Sequence, residues 1–566
     1  MAFPALPQSF DDIDVTKWES FAPYFELLAE VTLSEKNAEE WLENWSNIAR
    51  FLSEAFSKIY VEKSIDTTDE NKEAAFMAML ENVVPPAQVA EQRLKEKLLA
   101  SGYNLPGMEI PMMHMQDQAD LFREENIPLQ TQEEKLGNEY EKMTGGLKTE
   151  WEGEEKNVSQ LDVFLEDKDR TVREKAWRTK MGLWAGIRPD LNELYTKMLP
   201  LRHQIALNAG CADYREYSFR RLGRFDYTPQ DCLDFHEAIE SVVVPAAGRI
   251  LARRKKALGV ERLRPWDLDV ETSGGDPLRP YEGQAELEQY GQSIFDQVDP
   301  ELASYFRTMV DEDLLDLDTR SGKALGGYCM NYPWQRKAFI FMNGKGTQDD
   351  VRTLLHECGH AFHAFEGEKQ PLIWQVSPVM EFCEVASMAM ELLSTPYWER
   401  SRGGFYNEEQ AARARIQHLE GWILFWPYMA VVDGFQHWVY THIDEAQDPA
   451  KLDEVWDGLW LKFMGGEDWT GLEEVRKSGW HRKGHIFSVP FYYVEYGIAQ
   501  VGAMQVWRNS LENHAEALAS YRRALALGGT ASLPDLFAAA GAELRFDKDM
   551  LAELVGLGEE TIASLR

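Results

Sequence analysis

Apolar positions along this chain recur mostly at helical spacing. Val351, Leu355, Cys358, Phe362 and Phe365 fall three and four residues apart and make one stripe of a core-packed helix, which Thr347 and Asp349-Asp350 are suited to start. The longest uninterrupted apolar run, 422–432 with Pro427 inside it, predicts a buried core helix. A helix is predicted over 88–99, stopping at Ser101-Gly102, with Pro85-Pro86 breaking the chain before it as a linker. Thr131-x-x-Glu134 and Thr171-x-x-Glu174 read as capping boxes. The C-terminal stretch 511–566 reads as several short helices, and 264–281, with its prolines and glycines, as a long loop. The charge runs 35–40 and 152–156 read as solvated helix faces. Strand signals are few. Residues 338–343, Ala-Phe-Ile-Phe-Met-Asn, predict a short strand, and 325–331 a second strand or a loop beside it. The pattern predicts a mainly α protein with a small β-sheet near residue 340.

Composition sharpens this picture at a few points. With 566 residues, 44% of them hydrophobic, the chain can bury a large core. Its length allows about two to four folding units at roughly 150 residues each. Lys+Arg number 59 and Asp+Glu 95, a formal charge of −36. That excess argues against binding nucleic acid or anionic membrane surfaces. The longest apolar run is short of the roughly 20 residues of a membrane span. Residues 1–15 lack the basic and apolar segments of a secretory signal. Cys211, Cys232, Cys329, Cys358 and Cys383 form no CxxC pair, which suits free thiols in a reducing cytoplasm.

The chemistry sits at 356–360, His-Glu-Cys-Gly-His. Two histidines at i and i+4 of a helix lie about 40° apart and can share one Zn²⁺. Glu357 between them can take a proton from metal-bound water. Chance would produce H-E-x-x-H about 0.03 times in a chain of this composition, so the motif is specific. His363 lies a turn further on and reads as a supporting or structural residue. His363 and Glu366 occupy the positions where metzincins carry Gly and His, which argues against that class. A third ligand must come from elsewhere. The segment 378–391 offers Glu381, Glu384 and Glu391. Glu384 and Glu391 are seven apart and share a helix face, an economical arrangement for one ligand and one partner behind it. Cys358 and Cys383 read as buried small residues.

These residues resemble the oligoendopeptidase F family, within the thimet-oligopeptidase-like zinc peptidases. The resemblance is carried by His-Glu-Cys-Gly-His with His363 following, by Glu384-Val-Ala-Ser387, and by the Gly-rich run 320–329. It is carried also by His485 with Phe491-Tyr-Tyr-Val-Glu-Tyr-Gly497, and by 161–176 and 521–541. It covers about 160–545. It implies a zincin-like, two-lobed helical metallopeptidase with a deep substrate channel. One Zn²⁺ per chain would be held by His356, His360 and Glu384, with Glu357 as general base. His485, Tyr493 and Tyr496 would bind the substrate carbonyl or the oxyanion, with Tyr492 as the alternative if the register shifts by one. Glu391 would hydrogen-bond a ligand histidine. A helical N-terminal region over 1–150 and a catalytic region over 151–566 are expected, with the strand at 338–343 presenting an exposed edge to extended peptide. Short peptides are the expected substrates; oligomeric state is left open. Two rivals stand beside the endopeptidase. One is a carboxypeptidase or dipeptidase holding a terminal carboxylate on Arg336, Lys337, Arg482 or Lys483. The other is a non-catalytic peptide-binding protein.

Overall fold

A computed structural model describes residues 3–103, 105–272 and 275–566. The chain is mainly helical, with two small sheets among the described residues. Its buried apolar side chains gather in two large clusters. One joins residues between Phe21 and Met115 with Leu372. The other runs from Val61 to Ile562 and encloses the sheet and the HExxH helix. No helix among the described residues is long and apolar enough to cross a membrane. All five cysteines are unpaired.

Strands β3 (Leu315–Asp318), β4 (Tyr328–Tyr332) and β5 (Lys337–Gly344) form one sheet in the order β3-β5-β4. β5 pairs in parallel with β3 and antiparallel with β4. The predicted strand 338–343 is therefore present, but it is the centre of the sheet and not its exposed edge. The reason is visible in its composition. Ala338 to Met342 are buried without a break, the continuous apolar run of a strand covered on both faces. The edges are β3 and β4. Strands β1 (Lys148–Trp151) and β2 (Glu154–Asn157) form a separate hairpin. Glu152 and Gly153 turn it with φ of 54° and 87°, the two positive φ values of a tight hairpin turn. The charge run 152–156 thus lies in this hairpin and not on a helix.

Three helix boundaries also differ from expectation. Pro128 starts the helix Ile127–Gly145, so Thr131 lies inside it and its hydroxyl donates to the Ile127 carbonyl. Asp169, not Thr171, caps Arg170–Asn208 by accepting from the Thr171 N–H at 2.8 Å. Pro85 and Pro86 do not break the chain. They sit in the first turn of Val84–Ser101, where a missing N–H costs nothing, and a π turn at Met79–Val83 joins that helix to Glu70–Ala78. The stop at Gly102, with φ of 64°, is as expected. Residues 422–432 lie within one long buried helix, Glu408–Thr441, and the C-terminal segment is made of short helices. The described part of 264–281 is irregular apart from one 3₁₀ turn. Residues 273 and 274 of that loop, and 1 and 2 of the N-terminal segment, lie outside the described residues.

Candidate metal centre and active site

β5 delivers the chain to the HExxH helix, Gln348–Gly367, through a turn organised by Asp350. Its carboxylate accepts from the backbone N–H groups of Lys345 and Thr347, both at 2.7 Å, and from the Tyr281 hydroxyl at 2.9 Å. Val351, Leu355, Cys358 and Phe362 are fully buried, so His356 and His360 point away from that core. The helix Met380–Leu393 crosses beside them and brings Glu384 to the pair. Glu384 Oε2 lies 3.2 Å from His356 Nε2 and 3.5 Å from His360 Nε2. Gly359 permits this approach. A Cβ there would stand 2.5 Å from Ser387 Cα and 2.6 Å from the Ala386 carbonyl oxygen. The Gly of the motif is where the two helix backbones touch.

A second layer orients these groups. Glu391 Oε1 lies 2.7 Å from His356 Nδ1, and its other oxygen lies 2.7 Å from His418 Nε2. The Nδ1 contact leaves His356 Nε2 free to face Glu384. Burial alone would raise the Glu391 carboxyl, but the bonds to His356 and His418 hold it far below the usual carboxylate range. Burial likewise opposes ionisation of Glu384, and His360 and His356 overcome it. Glu357 differs. Burial pushes its carboxyl up, only partly opposed by the two histidines. A Cβ on Gly327, just before β4, would lie 3.5 Å from Glu357 Oε1. The start of β4 therefore lies beside Glu357.

The third contributor is the helix Tyr493–Glu512 with the residues before it. Phe491 has a left-handed φ of 67°, uncommon for a bulky residue. It is held at both ends. Its N–H donates to Gln436 Oε1 at 2.7 Å, and its carbonyl accepts from Arg224 Nη2 at 2.5 Å. The turn aims Tyr492 at the group of His356, His360 and Glu384, where its hydroxyl donates to Glu384 Oε1 at 2.5 Å. His485 Nε2 and the Tyr496 hydroxyl are 3.2 Å apart. The Tyr493 ring packs on His485 at 5.1 Å between centroids. Burial, with help from Lys483, pushes His485 down to about 3, so its imidazole is neutral near pH 7. Burial pushes the tyrosine hydroxyls up and keeps them as donors. His356, His485, Tyr493 and Tyr496 line one cavity of about 800 Å³, together with Arg352 and Phe425.

The donor set fits a metal ion. The ligand atoms of His356, His360 and Glu384 all lie within 4.8 Å of one another. Two imidazoles and one carboxylate suit a catalytic centre that keeps a position open. His363 is not among them. It is buried against Phe382, with ring centroids 5.9 Å apart.

The sequence profile of Peptidase family M3 matches residues 163–556. The chain belongs to this family. Among its relatives, the oligoendopeptidase F homolog of Mycoplasma pneumoniae is 23% identical over 397 residues, covering 67% of this chain and 62% of the relative. The homolog from Lactococcus lactis subsp. lactis is 24% identical over 419 residues, covering 71% of this chain and 65% of the relative. Each match thus spans less than two thirds of the relative's own length. Among solved structures, PZ peptidase A with an inhibitor superposes with a TM-score of 0.91 at 28% identity, covering 96% of this chain and 97% of that one. Oligoendopeptidase-F from Enterococcus faecium superposes at 0.64 with 16% identity, covering 99% and 98%, and shares the fold. Membership in M3 carries a metal requirement, and the two-lobed helical body is that of these neighbours.

In this M3 chain several supporting residues escaped sequence reasoning. His418 and Trp422 reach Glu391 from another helix, across 27 and 31 residues of sequence. Arg224 and Gln436 grip Phe491 from still further away. No local pattern marks such partners. Two others had a signal. Ser387 stands three residues from Glu384 and donates to its carboxylate at 3.0 Å, and Gly359 stands inside the motif itself.

Proposed function

We propose that this chain is a zinc-dependent endopeptidase that hydrolyses internal bonds of short oligopeptides in the cytoplasm. The observation that carries the reading is the convergence of His356, His360 and Glu384, with Glu357 beside them, at the edge of a cavity of about 800 Å³. His356, His360 and Glu384 would hold the ion. When bound, zinc supplies Lewis-acid chemistry, acidifying water and polarising a carbonyl. Glu357 takes the proton of the attacking water and passes it to the leaving amine, a task suited to a carboxyl that burial has pushed up. His485, Tyr493 and Tyr496 present N–H and O–H donors from the cavity wall to the carbonyl oxygen as charge develops on it. Tyr492, bonded to Glu384, acts on the ligand. Extended substrate pairs with the outer edge of β4, next to Glu357. Residues 1–150 form the helical region over the catalytic region 151–566.

The exopeptidase alternative needs a free cation for a terminal carboxylate. Three of its candidates are engaged elsewhere. Lys337 pairs with Glu312, Arg336 donates to the Glu368 carbonyl, and Arg482 to the Val475 carbonyl. Lys483 stands over the Tyr428 and Tyr493 rings.

Digestion of a mixed peptide library, with and without chelator and read by mass spectrometry, tests the proposal. Chelator-sensitive internal cuts are expected, C-terminally capped peptides included. In Glu357→Gln the rate should fall by about 10²–10⁴ while one zinc stays at this centre. Trimming from one end only, or full activity of that variant, would overturn the assignment.

A further inference from the structure

A second cluster of metal-ligating side chains lies away from the cavity. Cys232 and His236 stand one turn apart on the helix Pro229–Ala238, and Asp433 and His437 one turn apart on Glu408–Thr441. Relative exposures are 0% for Cys232 and Asp433, 4% for His437 and 5% for His236. One ligand atom each from Cys232, Asp433 and His437 lies within 4.8 Å of the others. His236 Nε2 and His437 Nε2 lie 2.9 and 3.2 Å from the same Asp433 oxygen. These separations match the 3.2 and 3.5 Å between imidazole nitrogens and Glu384 at the HExxH centre. Yet His236 Nε2, both oxygens of Asp433 and both ring nitrogens of His437 make no hydrogen bond. The nitrogens approach the carboxylate without aiming an N–H at it. Buried polar atoms without hydrogen bonds are costly, and a shared cation would satisfy the ones that converge.

We propose that Cys232, His236, Asp433 and His437 form a second metal site, a closed structural site for Zn²⁺. The donor set is chemically apt. One thiolate, two imidazoles and one carboxylate make a tetrahedral complement with no open position, the mark of a structural rather than a catalytic ion. Charge also closes. Zn²⁺ with one thiolate and one carboxylate is neutral. Binding releases the thiol proton of Cys232. The two imidazole rings lie 6.1 Å apart, against 5.0 Å for His356 and His360, so His236 must move inward to join the three ligand atoms that already converge.

The placement gives the ion a task. The His437 ring packs on Phe491 at 5.4 Å, the left-handed residue that aims Tyr492 at Glu384. A metal there braces two helices beneath the tyrosine turn. It positions and does not react.

The test uses the full-length protein. Zinc measured by plasma mass spectrometry should give two equivalents per chain. Cys232→Ser should hold one, and His360→Ala should also hold one, having lost the other. Protein grown in cobalt should show thiolate-to-cobalt charge-transfer absorption, which a centre of two imidazoles and a carboxylate cannot produce. That band should vanish in Cys232→Ser and persist in His360→Ala. At most one equivalent with no such band, or a band unaffected by Cys232→Ser, would overturn the site. Should Cys232→Ser fail to fold, the stoichiometry and cobalt spectrum of the parent chain still decide. Loss of peptidase activity alone would bear on the HExxH centre and not on this one.

Discussion

Glu391 shows how one residue sets the chemistry of another. Its two oxygens bind His356 and His418. The first bond would hold a proton on His356 Nδ1 and leave Nε2 to a metal ion. Glu391→Gln should therefore weaken metal affinity by about 10–100-fold, measured by competition with a chromogenic chelator, while the fold stays intact. An unchanged affinity would mean that the tautomer is set elsewhere. The same scale shows what reading along the chain can reach. His356 and His360 are legible because one turn of helix joins them. The pairing of Glu384 with Glu391 is legible for the same reason. His418 is not, because only packing of the long helix Glu408–Thr441 against Met380–Leu393 brings it to Glu391.

Between elements, the decisive contact is that of the HExxH helix with Met380–Leu393 at Gly359. Gly359→Ala adds a methyl that would meet backbone at 2.5 and 2.6 Å, and backbone cannot rotate away. The helices must part, at a cost of about 1–3 kcal/mol as in other overpacked cores. Glu384 should then retreat from the histidines. Urea unfolding should show the loss of stability, and metal analysis the loss of occupancy; a stable variant with full metal would refute this account. The sheet teaches a related lesson. The apolar run 338–343 marked a strand correctly, but its unbroken hydrophobicity also meant cover on both faces. An edge strand would have alternated. β3, which pairs with β5 in parallel, escaped the sequence pattern because it is short and carries Asp316 and Asp318. The hairpin at 148–157 escaped because its charges masked a turn in which Gly153 supplies a positive φ.

At the scale of the whole molecule, two half-buried carboxyls shape stability. Burial pushes both Glu91 and Glu467 up to about 7, while an unfolded Glu titrates near 4.5. Between these values the folded chain holds protons that the unfolded chain releases. The stability they contribute is full below about 4.5 and is lost as pH rises through about 7. Glu91→Gln removes one of these groups, so the variant's melting temperature should gain on that of the parent chain as pH rises from about 4.5 to about 7. A difference between variant and parent that stays constant with pH would contradict the assignment. The cavity bears on substrate size. A space of about 800 Å³ beside His356 admits a short extended segment and not a folded domain. A ladder of peptides of increasing length should show kcat/KM falling at the longer end, with folded proteins uncut under native conditions.

What the chain determined alone is what lies within a few residues. The HExxH pair, its base and its apolar stripe follow from helical period. The carboxylates seven apart follow from the same period, and the free thiols from their spacing. The resemblance to oligoendopeptidase F rested on those local patterns, and the M3 match bears it out. The tertiary structure decided everything that depends on which elements touch. It made β5 central and β4 an edge, and it set Glu384 against His356 and His360 across a glycine. It bent Phe491 between Arg224 and Gln436 so that Tyr492 meets Glu384. It gathered Cys232, His236, Asp433 and His437, some 200 residues apart in pairs, into one buried cluster. The physical reason is range. Backbone period acts over a turn or two, whereas burial, charge pairing and ligand geometry act between segments that only the folded core brings together.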